Sequence, residues 1–314
     1  MRTAFVETLI ELARDDRRLM LLTADLGWSV LERFAHTFPD RYLNVGVAEQ
    51  NMLGIATGLA REGYVPFVYS IATFASMRCY EQFRDGPVLH CLPVHVVGIG
   101  GGFAYGHAGP THYALEDLTI ARTQPGVTVI APADRAQTRT VIRTVVQLTG
   151  PTYLRLDKSS EPDLVGLGGR FALGMPEVIR PGRHLLLLAT GSVTHEALRA
   201  AEMLAAHDLD AAVAVQAHLS FTGSPQLGEL LAAYPVVMTV EEGYTAGGLG
   251  SLAAETIAQR GLGCRLSIHG VTAPLASHTG STSYMRRQHG LDAASLAEAA
   301  LRLVAAGAWR RAAA

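Results

Sequence analysis

The feature that most constrains this chain is an alternation of short apolar runs with stretches of helical length rich in alanine and glycine. The apolar runs fall at Leu19–Thr23, 42–45, 65–69, 94–99, 127–130 and 153–156, and again at Leu185–Ala189, 212–215, 236–240 and 265–268. Consecutive apolar residues are buried on both faces, as in a parallel sheet covered by helices. Between them, residues 3–14 form an amphipathic pattern with Phe5, Leu9 and Leu12 on one face. Residues 47–62 carry Ala48, Gly54, Ala56 and Gly58, which permit close helix packing. Further helices are expected at 193–207, 225–234, 248–259 and 295–306, with Thr190-Gly191-Ser192 capping the first of these. The pattern predicts α/β architecture in two three-layer domains, 1–163 and 184–314, joined by a Gly- and Pro-rich linker at 164–183.

Composition narrows the function classes. The 314 residues are 49% hydrophobic and 17% charged, which excludes a disordered chain. Acidic residues number 28 and basic residues 26, a net charge of −2, which argues against a nucleic-acid partner. Runs such as Leu185–Ala189 fall far short of the ~18 apolar residues of a membrane helix. The apolar excess fits a surface hidden against another subunit. Cys79, Cys91 and Cys264 form no CxxC pair and are expected to be buried small hydrophobes in a reducing, cytoplasmic setting. No apolar leader follows Met1. His90, Cys91 and His95 lie in a β-rich run whose alternating side chains disfavour a shared metal.

Two stretches carry candidate chemistry. Asn44-Val45-Gly46-Val47-Ala48-Glu49-Gln50-Asn51-Met52 places one carboxylate at a strand-to-helix junction among apolar residues. There a carboxylate gains by sharing a proton with a partner; alternatively Glu49 satisfies backbone N–H groups at the helix start. Gly106-His107-Ala108-Gly109-Pro110-Thr111-His112 sets His112 just before a helix whose first turn suits Glu116 and Asp117. Such a histidine exchanges protons near neutral pH, or simply packs. Gly98-Ile99-Gly100-Gly101-Gly102 does not match the dinucleotide fingerprint GxGxxG.

Taken in order, several motifs resemble the transketolases, a family of thiamine-diphosphate enzymes. They are NVGVAEQNMLGIATGLA at 44–60, and GPTH, ALED, PGVTV and APAD within 109–134. Tyr153-Leu154-Arg155, Glu241-Glu242-Gly243 and Gly247-Gly248-Leu249-Gly250 continue the match. The resemblance spans nearly the whole chain and implies a pyrimidine-binding domain followed by the family's C-terminal domain. It assigns Glu49 a catalytic hydrogen bond to the aminopyrimidine ring of thiamine diphosphate. Phe74 matches the aromatic that stacks on that ring, with Ile71 and Met77 where further aromatics are usual. His112 matches a histidine that contacts substrate oxygens, and Ser29 and Arg155 resemble positions that grip a sugar phosphate.

The chain also departs from the family. The usual substrate histidine of the Gly-rich stretch falls on Gly100, and the usual aspartate of the next loop falls on Ala108; His107 stands close enough to restore a contact. No Gly-Asp-Gly occurs, although the family binds Mg²⁺ and the diphosphate through that motif. The resemblance therefore implies the C-terminal half of a split transketolase, working with an N-terminal subunit that carries the diphosphate and Mg²⁺ site. A heterotetramer of two of each chain and a sugar-type substrate are expected. The implied reaction moves a two-carbon ketol unit from a ketose, or ketose phosphate, to an aldehyde. The alternatives are a β-type subunit of a 2-oxo-acid dehydrogenase, a deoxyxylulose-phosphate-synthase-like acyl transferase, or a non-catalytic assembly partner. Glu49 argues against the last, because a scaffold needs no carboxylate there.

Overall fold

The computed structural model describes residues 1–158, 161–219, 221–274 and 278–305. The first half builds one sheet from β1 (Leu19–Thr23), β2 (Tyr42–Asn44), β3 (Val65–Ile71), β4 (His95–Ile99), β5 (Thr128–Ile130) and β6 (Thr152–Leu156). Its order is β2-β1-β3-β4-β6-β5, and every neighbouring pair is parallel. The second half builds another from β7 (Glu177–Arg180), β8 (Leu185–Ala189), β9 (Ala211–Val215), β10 (Val236–Tyr244) and β11 (Arg265–Val271). That sheet runs β11-β10-β8-β9-β7 and is parallel except for the β7 edge.

Consecutive apolar residues do what the sequence requires of them. Leu185 and Leu187 enter one core cluster and Leu186 and Leu188 the other, on opposite faces of the sheet. Leu21 and Leu22 divide in the same way across the first sheet. Helix Arg2–Asp15 buries Phe5 and Leu9 on one side of that sheet, and helix Glu49–Arg61 buries Met52, Leu53 and Ala56 on the other. Full burial of a Phe, Leu or Met side chain contributes ~1.5–3 kcal/mol. The exposed edge of β5 is covered by the second half: Ala131 N donates to Ala217 O and Leu219 N to Val129 O, each at 2.8 Å. This contact removes an edge open to aggregation.

Several elements depart from the sequence reading. The Gly- and Pro-rich stretch contains β7, paired antiparallel with β9. Helix Arg135–Val145 was not signalled by any apolar run; Asp134 caps it, its carboxylate accepting from Gln137 N at 2.7 Å. Thr190-Gly191-Ser192 provides no side-chain cap, because a 3₁₀ turn at Gly191–Val193 precedes helix Thr194–Ala205. Of the three cysteines only Cys79 is buried; Cys91 is exposed and Cys264 intermediate. His95 lies inside β4, apart from His90 and Cys91 on the preceding turn. The last helix, Ala293–Ala305, ends where the described residues end, so the expected residue 306 lies outside them. Among the described residues no helix is long and apolar enough to cross a membrane.

Candidate active site

In a parallel α/β sheet, ligands bind beyond the carboxyl ends of the strands, where the strand order reverses. In the first sheet the chain goes from β1 outward to β2 and returns to β3 on the other side, so the reversal lies between β1 and β3. The loops after β1, β2, β3 and β4 converge there. Asn44, closing β2, ties two of them together: its Nδ2 donates to Asp25 Oδ1, and its Oδ1 accepts from Asp25 N and Gly46 N, each at 3.0 Å. Gly46, at φ +74°, then turns the chain into helix Glu49–Arg61.

Glu49 is the first residue of that helix and is only 4% exposed. Its Oε1 accepts from Arg78 Nη1 at 3.2 Å. The N-cap residue is Ala48, which has no polar side chain to cap the helix, and the described partner of the Glu49 carboxylate is Arg78. The Arg78 guanidinium also lies over the Phe74 ring, 3.8 Å from its centroid. Both residues come from a π-helical segment, Phe74–Arg78, a distortion that recurs at functional sites. The Phe74 ring meets His112 edge-on at 5.3 Å between centroids. Ile71 is buried at the end of β3, and Met77 is 39% exposed beside Phe74 in the chain.

His112 ends a short turn, Pro110–His112, with its Nδ1 at 2.9 Å from Thr111 Oγ1. The second half of the chain fixes this loop. The Tyr113 hydroxyl donates to His278 O at 2.6 Å, Gly280 N to Gly106 O at 3.2 Å and Thr282 Oγ1 to Phe103 O at 3.2 Å. Phe103 stacks on His289 at 4.9 Å. Ser29 lies in the exposed loop after β1, in the left-handed region at φ +65°, and Asp25 in the same loop has φ +55°. Such conformations cost ~1–3 kcal/mol and cluster where function needs them. His107 is exposed on the turn Gly106–Ala108.

Arg155 does not join this cluster. It is buried in the seam between the halves, where Nε donates to Asp117 Oδ2 at 3.0 Å, Nη1 to Glu242 O at 2.8 Å and Nη2 to Ala114 O at 2.9 Å. Lys158, three residues on, meets a different neighbour: its Nζ sits 3.8 Å from the Tyr105 ring centroid, and the Tyr105 ring lies 6.1 Å from that of His112. Burial lowers the Lys158 pKa and raises that of the Tyr105 hydroxyl, which keeps the phenol a donor. Lys158 also lines a groove of about 760 Å³ with both signs of charge on its walls: Asp157, Glu161 and Glu196 line it too, Arg199 pairs with Glu161 and Glu196, and Arg286 with Glu196 and Glu242. Arg78, Tyr105 and Lys158 were missed by the sequence reading. Arg78, four residues after Phe74, and Lys158, closing Leu156-Asp157-Lys158, were within its reach.

The architecture and the crevice have known counterparts. Residues 1–162 match the transketolase pyrimidine-binding domain, and residues 174–296 match the transketolase C-terminal domain. The chain belongs to the transketolase family. A transketolase C-terminal section from Methanocaldococcus jannaschii is 36% identical over 302 residues, covering 95% of this chain and 94% of that one. A 6-deoxy-6-sulfo-D-fructose transketolase subunit from Clostridium sp. is 36% identical over 303 residues, covering 96% and 93%. Among solved structures, a split-gene transketolase in an inactive β4 tetramer superposes with a TM-score of 0.84 at 32% identity, covering 96% of each chain. A 1-deoxy-D-xylulose-5-phosphate synthase from Gloeobacter violaceus is 31% identical over 288 residues, covering 90% of this chain but 45% of that enzyme. As a transketolase-family protein related to thiamine-diphosphate enzymes, the chain corresponds to the C-terminal subunit of the split form.

Proposed function

We propose that this chain is the pyrimidine-side subunit of a split transketolase that moves a two-carbon ketol unit from a ketose or ketose phosphate to an aldehyde. The observation that carries the reading is Glu49: a carboxylate 4% exposed at the strand reversal, with the Phe74 ring and His112 beside it. These residues fit the aminopyrimidine half of thiamine diphosphate, since Glu49 can face a ring nitrogen and Phe74, between Ile71 and Met77 in the chain, offers the ring face that the Arg78 guanidinium leaves uncovered. They do not fit the other half. Among the described residues no group of three His, Cys, Asp or Glu side chains could hold a metal, and the sequence contains no Gly-Asp-Gly. An N-terminal subunit bringing the diphosphate and Mg²⁺ ligands completes the site, in an assembly of two of each chain.

When bound, thiamine diphosphate supplies a nucleophilic carbon and an electron sink. The residues of this chain bind, orient and hold protons. Glu49 keeps a proton between its carboxylate and the pyrimidine ring, while Arg78 fixes the carboxylate through Oε1. Thr111 engages His112 Nδ1, so that Nε2 addresses a substrate oxygen. Ser29 and His107 line the approach. The anionic end of the substrate falls to Lys158, because the Arg155 guanidinium is committed to Asp117 and to backbone carbonyls. The likeness to a deoxyxylulose-phosphate synthase supports a second reading, in which pyruvate is the donor. Product analysis of the assembled enzyme separates the two: ketol transfer from a ketose is expected, and consumption of pyruvate alone selects the second reading.

A further inference from the structure

Gly100 follows β4 in the left-handed region, at φ +75°, and the space above it is already filled. A Cβ built there would lie 2.1 Å from Tyr105 Cε2 and 2.4 Å from Cδ2, so the edge of the Tyr105 ring stands where a side chain at position 100 would project. Tyr105 is held on both sides. Ala108 N donates to its carbonyl at 2.8 Å, and the next residue, Gly106, packs so closely on the second half that an added Cβ would meet Gly280 O at 2.3 Å. The ring therefore lies between two polar groups, with the His112 ring 6.1 Å away between centroids and the Lys158 ammonium over its face.

We propose that Tyr105 is a specificity-determining residue that contacts the substrate between the reacting end at His112 and the anionic end at Lys158. The inference rests on the functional reading above and deepens it. The ring offers this stretch of the substrate an apolar edge and a single hydroxyl, and Ala108 adds no polar group. A site with so few hydrogen-bonding groups does not reward a fully hydroxylated chain, whereas one built to bond a hydroxyl rejects analogues lacking it. The favoured substrate is a carbonyl compound with an anionic tail and fewer hydroxyls in between than a pentose phosphate carries.

Two measurements test this. The first uses the chain alone and needs no activity. Gly100→Ala is compared by urea unfolding in the wild-type and Tyr105→Val backgrounds; left-handed strain is common to both, so the coupling isolates the contact with the ring. The expected result is a clearly smaller loss in urea midpoint in the valine background, and equal losses overturn the steric half. The second uses the complex with its N-terminal subunit, supplied with xylulose 5-phosphate and with deoxy ketose phosphates. Tyr105→Phe is expected to lower kcat/KM about tenfold on the preferred substrate, the size of one lost hydrogen bond. Tyr105→Val with Gly100→His is expected to shift preference toward the pentose phosphate by at least ~10-fold. Changes below twofold in both variants overturn the proposal. If the wild-type complex uses no ketose at all, the functional reading fails and the substrate role of Tyr105 is overturned with it, while the unfolding cycle still decides the packing.

Discussion

The two halves of the chain share one architecture but treat the carboxyl ends of their strands in opposite ways. In the first sheet the reversal between β1 and β3 is left open, and Glu49, Phe74 and His112 gather around it with Arg78 as the only charged partner of the carboxylate among the described contacts. In the second sheet the reversal lies between β8 and β10, and the chain closes it with its own side chains. Glu241 accepts from Leu249 N at 2.9 Å and Gly250 N at 2.8 Å, so a carboxylate occupies the helix start where a ligand anion would sit. Burial raises the Glu241 pKa and those two N–H groups oppose the shift. Glu242 pairs with Arg286, which also donates to Ser192 Oγ at 3.1 Å. In the proposed function one reversal point is the site, while its twin is closed by the chain's own side chains, with Glu242 accepting from Phe103 N in the loop that leads to His112.

The two ends differ most at Glu49. In the assembled complex Glu49→Gln should cost ~10²–10⁴-fold in activity, the usual loss of a proton-transfer group. The urea midpoint of the chain should barely move. A variant within a few-fold of wild type would make the open end structural. The closed end should answer in the opposite currency. Arg286→Met leaves Glu242 buried without its ion partner, and both side chains are under 8% exposed, so a loss of ~3–5 kcal/mol is expected in urea unfolding. The double variant Glu242→Gln/Arg286→Met should recover part of that loss; no recovery would deny the pairing.

Acid sharpens the contrast further. Burial depresses His95 to about 3 and His218 to about 4, from an ordinary value of 6.5. The unfolded chain takes up these protons first as pH falls. Stability from each group is therefore complete above pH ~6.5 and is lost as pH drops toward the folded values, at up to ~1.4 kcal/mol per pH unit per histidine. Urea midpoints between pH 7 and 5 should fall, and His95→Leu should flatten that slope; an unchanged slope contradicts the assignment. The smallest effect concerns thiols. Burial pushes Cys79 up to about 12, with the Glu49 charge adding to the shift, whereas Cys91 is exposed. A thiol reagent should label Cys91 at once without loss of activity, and Cys79 only on unfolding.

Legibility in the sequence followed burial. The strands were readable because they are apolar on both faces, so β1 and β8 were placed residue for residue. Helix Arg135–Val145 was not, because Arg135, Gln137, Arg139 and Arg143 dominate its composition and its apolar face reduces to Val141, Ile142 and Val145. Strand β7 hid for a related reason: as an edge strand with half-exposed residues it has no continuous apolar signature. Glu49, Phe74 and His112 were legible as motifs, and the structure brings them together. The motif left Arg155 open to a role in gripping phosphate, yet a guanidinium's partners depend on Asp117 and Glu242, distant in sequence. Tyr105 over Gly100 is likewise a contact that spacing alone does not reveal.

In the proposed function this chain holds one half of a cofactor site and gains its activity from a second polypeptide. The most direct measurement is ketol transfer from a ketose donor, in the presence of thiamine diphosphate and Mg²⁺, by the purified chain alone and after addition of a co-purified subunit carrying a Gly-Asp-Gly motif. No turnover is expected from the chain alone, and turnover by the complex should disappear with Glu49→Gln. Robust transfer by the chain alone would mean that no second polypeptide is needed.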